Sequence, residues 1–344
     1  MSLASALKTG DVTELPSRRD EDWRWTDLRA LIRVLPPVSP VFDGALSAGP
    51  FDALADGVLA VVNGRGDTRF ELAAGLTRTV ALRFVAAASE TAHAARLSID
   101  VGEGARLVLL ESYEGHGAGY VVEADLDIRL AKGASLERIV LAADAADAVS
   151  ISQAEVTLSP GASLSQTVLT TGAKRQRLET RVRHPGAHAS VRLDGVYLVA
   201  GQRHADITTV VTHGGVDGTT SQLIKGVVSD QGRGVFQGRI VVEEGADQTD
   251  ARMGHHALLL SDRAEVDAKP ELLIFADDVS CAHGNTVGSL DDDALFYARQ
   301  RGIPEPAAKA MLTEAFIGEV IDRIGHEGAR DVARAWAAER LGGA

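Results

Sequence analysis

The only cysteine of this chain, Cys281, stands two positions before a histidine, His283. Paired acids, Asp277 and Asp278, come just before them. On a strand, residues two apart face the same side. A thiolate and an imidazole on one face suit a soft or borderline metal. Two ligands do not enclose one, because structural sites usually take four. If the pair holds a metal, the remaining ligands come from another chain. Each residue also has a plain structural role, the thiol as a small packed hydrophobe and the histidine bonded to backbone. The residues alone leave both roles open.

Other constellations carry less. There is no G-x-x-x-x-G-K-[ST], so no P-loop nucleotide hydrolysis is expected. No G-x-S-x-G elbow occurs, and one cysteine forbids a C-x-x-C knuckle or an internal disulfide. His255 and His256 are adjacent, so on a strand they face opposite sides, one packed and one exposed. His184 and His188 are separated by Pro185-Gly186-Ala187, which argues against a helical H-x-x-x-H metal pair. Asp247 and Asp250 read as turn residues, as do Asp277 and Asp278.

The elements that position these residues show in a repeat. Gly-Ala pairs recur at Gly104, Gly133, Gly161 and Gly186, in steps of 29, 28 and 25 residues. Gly214-Gly215 follows after 28 residues and Gly245-Ala246 after 31. Alternating segments such as Leu126/Ile128/Leu130 and "SVRLDGVYL" flank these marks, a pattern of strands buried on one face. A strand-turn-strand unit of this length reads as one coil of a β-solenoid, with aliphatic residues inside and polar ones outside. A sandwich or barrel of evenly spaced hairpins is the alternative, with Asn63-Gly64 and Asp217-Gly218 as its best turns. Glycine at each mark supplies a positive φ at a corner.

Residues 1–95 are expected to form a helical and irregular region leading into the core, 96–288 the solenoid core, and 289–344 a helical C-terminal domain. Ser289-Leu290-Asp291-Asp292 has capping-box form. A helix through Phe296 should end at Gly302, and Pro304 or Pro306 should open another. Its apolar stripe reads as Met311, Leu312, Ala315, Phe316, Val320 and Ile324. The two ends are expected to cap the solenoid.

A formal net charge of −13 over 344 residues argues against nucleic-acid and anionic-membrane partners. The first residues hold no signal-length apolar run, and no window is apolar enough to span a bilayer. A cytoplasmic protein is the expectation, consistent with a single cysteine.

"KPELLIFADDVSCAHGNTVG" with "ALFYARQRGI" and "AKAMLTEAFIGEVIDRI" resembles the SufB/SufD family of iron–sulfur cluster assembly scaffolds. The resemblance runs back through "GVFQGRIVVEEGADQTDA", with islands at "SRRDEDWRWTDL" and "VVNGR". The single cysteine places it on the SufD side. The resemblance implies a right-handed parallel β-helix with helical segments at both ends. It implies a non-enzymatic scaffold that pairs with SufB, or with itself, and binds the SufC ATPase. Nucleotide would then be bound by SufC and not by this chain. The SufC surface maps to Phe296, Tyr297, Arg301, Met311, Leu312 and Phe316. The metal residues map to His283 and Cys281, which would touch a transient iron or cluster at the SufB interface. Where relatives carry Gln and Asn after Q-T-D-A, this chain has Met253 and His255, which puts a polar contact there in question. Two other functions fit a solenoid: a carbohydrate-active β-helix, which the scarcity of aromatics disfavours, and an interaction module with no metal role.

Overall fold

The computed structural model describes residues 2–342. It is mainly β, a parallel solenoid of about eight turns flanked by short helices. Successive strands alternate between two sheets. One takes the strands that begin at Thr77, Arg106, Ser135, Ser163, Ser190, Thr219, Asp250 and Ser280. The other takes those that begin at Arg69, Ala92, Val121, Val149, Arg175, His204, Arg233 and Glu265. Parallel pairing starts at Gly57–Val62, inside the stretch read as leading into the core. "VVNGR" is a two-residue hairpin: Val61 and Val62 pair antiparallel with Gly66 and Arg65. Asn63 and Gly64 turn with φ of 50° and 77°, the doubly positive geometry that twisted hairpins favour.

The repeat marks are the corners. Gly104, Gly133, Gly161 and Gly245 have positive φ, as the spacing predicts. At two marks the chain solves the corner differently. His188 and Asp217 take the positive φ there. Gly215 is held to glycine by close approach: a Cβ would lie 2.1 Å from the Gly186 carbonyl oxygen.

Strict register stacks like positions from coil to coil. One inward column runs Val191, Thr220, Ala251, Cys281, and the next runs Leu193, Gln222, Met253, His283. Leu82, Leu97, Ile99, Ile128, Leu158 and Val211 fill the interior, each at most 2% exposed. The interior is not purely aliphatic, which corrects the sequence expectation. Arg138 donates to both Glu111 oxygens at 2.7 Å and to Gln166 Oε1 at 2.7 Å, all three buried. Alternation specifies which residues point inward but not their polarity; these survive inside because each has a partner from a neighbouring coil.

The helices lie along the flanks and do not cap the ends. Helix α1 (Leu3–Thr9) and the short α2 (Leu28–Leu31) pack Leu3, Ala6, Leu28 and Ile32 on Val121, Val149 and Ile151 of the eight-stranded sheet. At the C-terminus follow α3 (Asp292–Gln300), α4 (Glu305–Ile321) and α5 (Glu327–Leu341). The cap of α3 is Asp291, which accepts from the Asp293 and Ala294 amides, and not Ser289. Helix α4 buries Ala308, Thr313, Ile317, Val320 and Ile321, leaving Met311 and Ala315 exposed. It is apolar over most of its circumference, so spacing alone did not select the buried face. That face and α5, through Trp336 and Ala337, cover Val196, Leu198 and Val227 on the outside of the ten-stranded sheet.

Candidate functional site: the uncovered last coil

The last coil consists of Glu265–Ile274 and Ser280–Gly288, each hydrogen-bonded on one side only. Its side chains are half-buried or exposed, unlike those of every coil beneath it in the middle of the stack. Apolar residues collect there: Leu273, Ile274, Phe275 and Val287 are all exposed. An uncovered strand edge with apolar neighbours is a template for another chain.

Cys281, His283, Asn285 and Val287 are the inward-facing positions of the final strand, above Ala251, Met253, His255 and Ala257. With no further coil above, inward becomes outward to solvent, and His283 is exposed. Cys281 is half-buried against the core. Burial pushes its thiol above the ordinary range, Asp250 adds to this, and a backbone contact from Ala251 opposes it. Cys281 is therefore a protonated thiol at neutral pH, a weak ligand until a metal or a nearby cation displaces its proton. Among the described residues no group of three or more His, Cys, Asp or Glu side chains is arranged to hold a metal. The pair has the donor chemistry of half a site.

Beneath the last coil lies a group that sequence reading did not assemble. The Tyr197 hydroxyl lies 2.8 Å from His255 Nε2, and His255 Nδ1 lies 2.6 Å from Asn285 Oδ1. His255 is fully buried and stacked on Phe236 at 5.0 Å between centroids. Burial drives its pKa down to about 4, so the ring is neutral. The signal was available: Tyr197 and His255 are 58 residues apart, close to two coil repeats. Of the two residues that depart from the family pattern, His255 makes polar contacts and Met253 packs in the core. His256 faces outward, half-buried, and meets Thr286 at 2.7 Å. His184 meets His213 Nδ1 at 2.6 Å, one coil away, and not His188. Asp277 and Asp278 form the exposed turn before the last strand, where the Asp278 carbonyl accepts from Gln248 N at 2.6 Å.

The expected partner residues divide. Phe296, Tyr297, Arg301 and Met311 are exposed, with the Arg301 guanidinium 3.3 Å from the Tyr297 ring centroid. Leu312 and Phe316 are half-buried, and Phe316 lies over Lys225 Nζ at 4.4 Å. Lys225, on the strand Thr219–Val228, also pairs with Glu319. Arg323, just after α4, reaches Asp194 at 3.1 Å; burial raises that carboxyl to about 6 against the pull of Arg323 and Arg192. The helical tail is thus clamped to the solenoid by both charge and apolar contact.

At the other flank the motif Glu21-Asp22-Trp23 straps the eight-stranded sheet. Asp22 bridges Arg181 at 3.3 Å and Arg239 at 3.1 Å, and Glu21 pairs with Lys269 of the last coil at 2.6 Å. Trp23 covers the fully buried Arg177 at 4.5 Å.

A parallel β-solenoid with polar networks inside a mainly aliphatic core, an open final coil carrying C-x-H-G, and a clamped helical tail define the class of fold. The family model described as SUF system FeS cluster assembly, SufBD core domain, matches residues 84–316. The chain belongs to that family, whose role is iron–sulfur cluster assembly. It is 29% identical to the iron-sulfur cluster assembly protein SufD of Escherichia coli (strain K12), over 99% of this chain and 92% of that one. It is 28% identical to a SufBD family protein of Mycobacterium leprae, over 91% of this chain and 87% of the relative. SufD of Bacillus subtilis is 33% identical over 38% of this chain and 30% of its own length. No helix among the described residues is long and apolar enough to cross a membrane.

Proposed function

We propose that this chain is the SufD-type, non-enzymatic subunit of a cytoplasmic cluster-assembly complex. Its open last coil pairs with a cysteine-bearing SufB-type paralogue, or with a second copy in that paralogue's absence. Residues 289–344 form the unit that binds the SufC ATPase, through Phe296, Tyr297, Arg301 and Met311, with Leu312 and Phe316 fixing the helix beneath them. Iron or a nascent cluster is cargo, shared between His283 and a partner cysteine, with Cys281 beside them.

The observation that carries this reading is the position of His283. It is a core-register residue left exposed only because the stack stops above it. An imidazole there is available to a second chain yet held by a rigid sheet. The helical tail supplies the coupling. Bringing two ATPases together would move α3 and α4, and the Lys225, Phe316 and Arg323 contacts would pass that displacement to the strands. Such a shift requires only that nucleotide-bound SufC prefer one arrangement of the pair.

The test is His283→Ala in the native complex. Cluster output in cells should fall to background while co-purification with the ATPase stays intact. Undiminished output would remove His283 from the mechanism. Loss of ATPase binding would show that the substitution acts through the fold.

A further inference from the structure

We propose that Tyr197 and His255 fix the Asn285 amide at the open seam so that its Nδ2 hydrogens donate to the sulfur of sulfide or thiolate cargo held beside His283. The inference rests on the function proposed above and names a residue that reading does not use.

With the Asn285 amide oxygen turned to the ring, the protons in the line follow. Asn285 Oδ1 only accepts, so His255 Nδ1 carries the hydrogen of the 2.6 Å contact. The buried ring is neutral, so Nε2 has a lone pair and accepts from the Tyr197 hydroxyl at 2.8 Å. Tyr197 and Asn285 therefore hold the ring in one tautomer from its two ends, and the Nδ1 hydrogen in turn keeps the amide oxygen turned to the ring. The opposite end, Nδ2, has no hydrogen-bond partner among the described residues, and Asn285 is exposed.

The line is also rigid. The Tyr197 ring fills the space left by two glycines: a Cβ on Gly226 would lie 1.9 Å from its Cζ, and one on Gly234 would lie 2.3 Å from its Cε2. Phe236 stacks on the His255 ring. Asn285 and His283 are two apart on one strand and share a face, with Cα atoms about 7 Å apart. That spacing lets one residue ligate a metal and the other donate to a sulfur attached to it. Hydrogen bonds to cluster sulfur raise the reduction potential and hold the sulfur in place.

The experiment uses the complex purified from the native cell and loaded anaerobically with iron and sulfide. Asn285→Asp keeps an acceptor for His255 and removes both Nδ2 donors, so the buried ring stays satisfied. Tyr197→Phe keeps the ring in its slot and frees the tautomer. Two readouts are taken, the rate of iron loss to a chelator and the cluster midpoint potential. A charge-assisted hydrogen bond predicts about ten-fold faster iron loss for N285D. Its potential should be lower, and Y197F should change both readouts in the same direction by less. Complex assembly should be unchanged in both variants.

Wild-type retention and potential in N285D, with His283→Ala labile, would overturn the inference and leave the proposed function standing. If His283→Ala also retains cargo normally, both fail. A Y197F variant indistinguishable from wild type would overturn the positioning line. Failure of N285D to assemble with its paralogue would make Asn285 a contact to protein, which also overturns the assignment.

Discussion

Replacing Arg177 with methionine tests whether the N-terminal strap depends on a buried charge network. Arg177 is fully buried. It donates to Glu179 Oε2 from Nε at 2.9 Å and from Nη2 at 2.7 Å, and to Asp206 Oδ2 from Nη1 at 2.9 Å. Glu179 would keep Arg181 as a partner. Asp206, also fully buried, would keep Thr26 Oγ1 at 2.6 Å, Thr208 Oγ1 at 2.8 Å and the Gln237 amide at 3.2 Å, but no ion-pair partner among the described residues. Methionine fills most of the volume, so the cost is mainly an uncompensated carboxylate, roughly 3–5 kcal/mol. Loss of the cation–π contact with Trp23 adds about 1 kcal/mol or more. Urea unfolding followed by circular dichroism measures the first. Trypsin cleavage after Arg18, Arg19 and Arg24 reports release of the strap. Adding Asp206→Asn should restore part of the stability, because it removes the stranded charge. A loss under about 1 kcal/mol with unchanged trypsin resistance would refute this account. So would a double variant no more stable than the single one.

The remaining predictions concern packing, pH and partner binding. Gly226→Ala places a Cβ on the Tyr197 ring and should destabilise by about 1–3 kcal/mol or more, read as a lowered urea midpoint. His204 is buried and lowered to about 4, first by burial and then by Arg175. The unfolded chain takes up that proton near pH 6.5 and the folded chain does not, so its stability contribution is present above pH 6.5 and lost as pH falls toward 4. His204→Phe should therefore gain about 2 kcal/mol on wild type between pH 7.5 and pH 5. The comparison with wild type removes the opposite trend from Glu123 and Asp194, whose carboxyls are raised to about 7 and about 6 mainly by burial. A gap that does not change with pH would be the wrong result. Phe296→Ala should weaken ATPase binding by about 2 kcal/mol in calorimetry, while Ala315→Ser, also exposed on α4, changes it little.

The sequence by itself determined a run of one-face-buried strands at a fixed period and favoured a solenoid over a sandwich of hairpins. Repeated glycine marks and alternating aliphatic residues carry that period through their own backbone and side chains, and the C-x-H-G strand was recognisable near the end of the run. Helix ends were also legible, since Gly302 and Pro304 act through their own backbone. Tertiary structure decided what period and propensity do not encode. Which face of α4 is buried depended on the sheet it meets. The ends stayed uncapped because both helical segments found larger apolar surfaces along the flanks. Glu111, Arg138, Gln166, Tyr197 and His255 are tolerated inside because residues a coil or more away satisfy them, a pairing set by strand register across the stack.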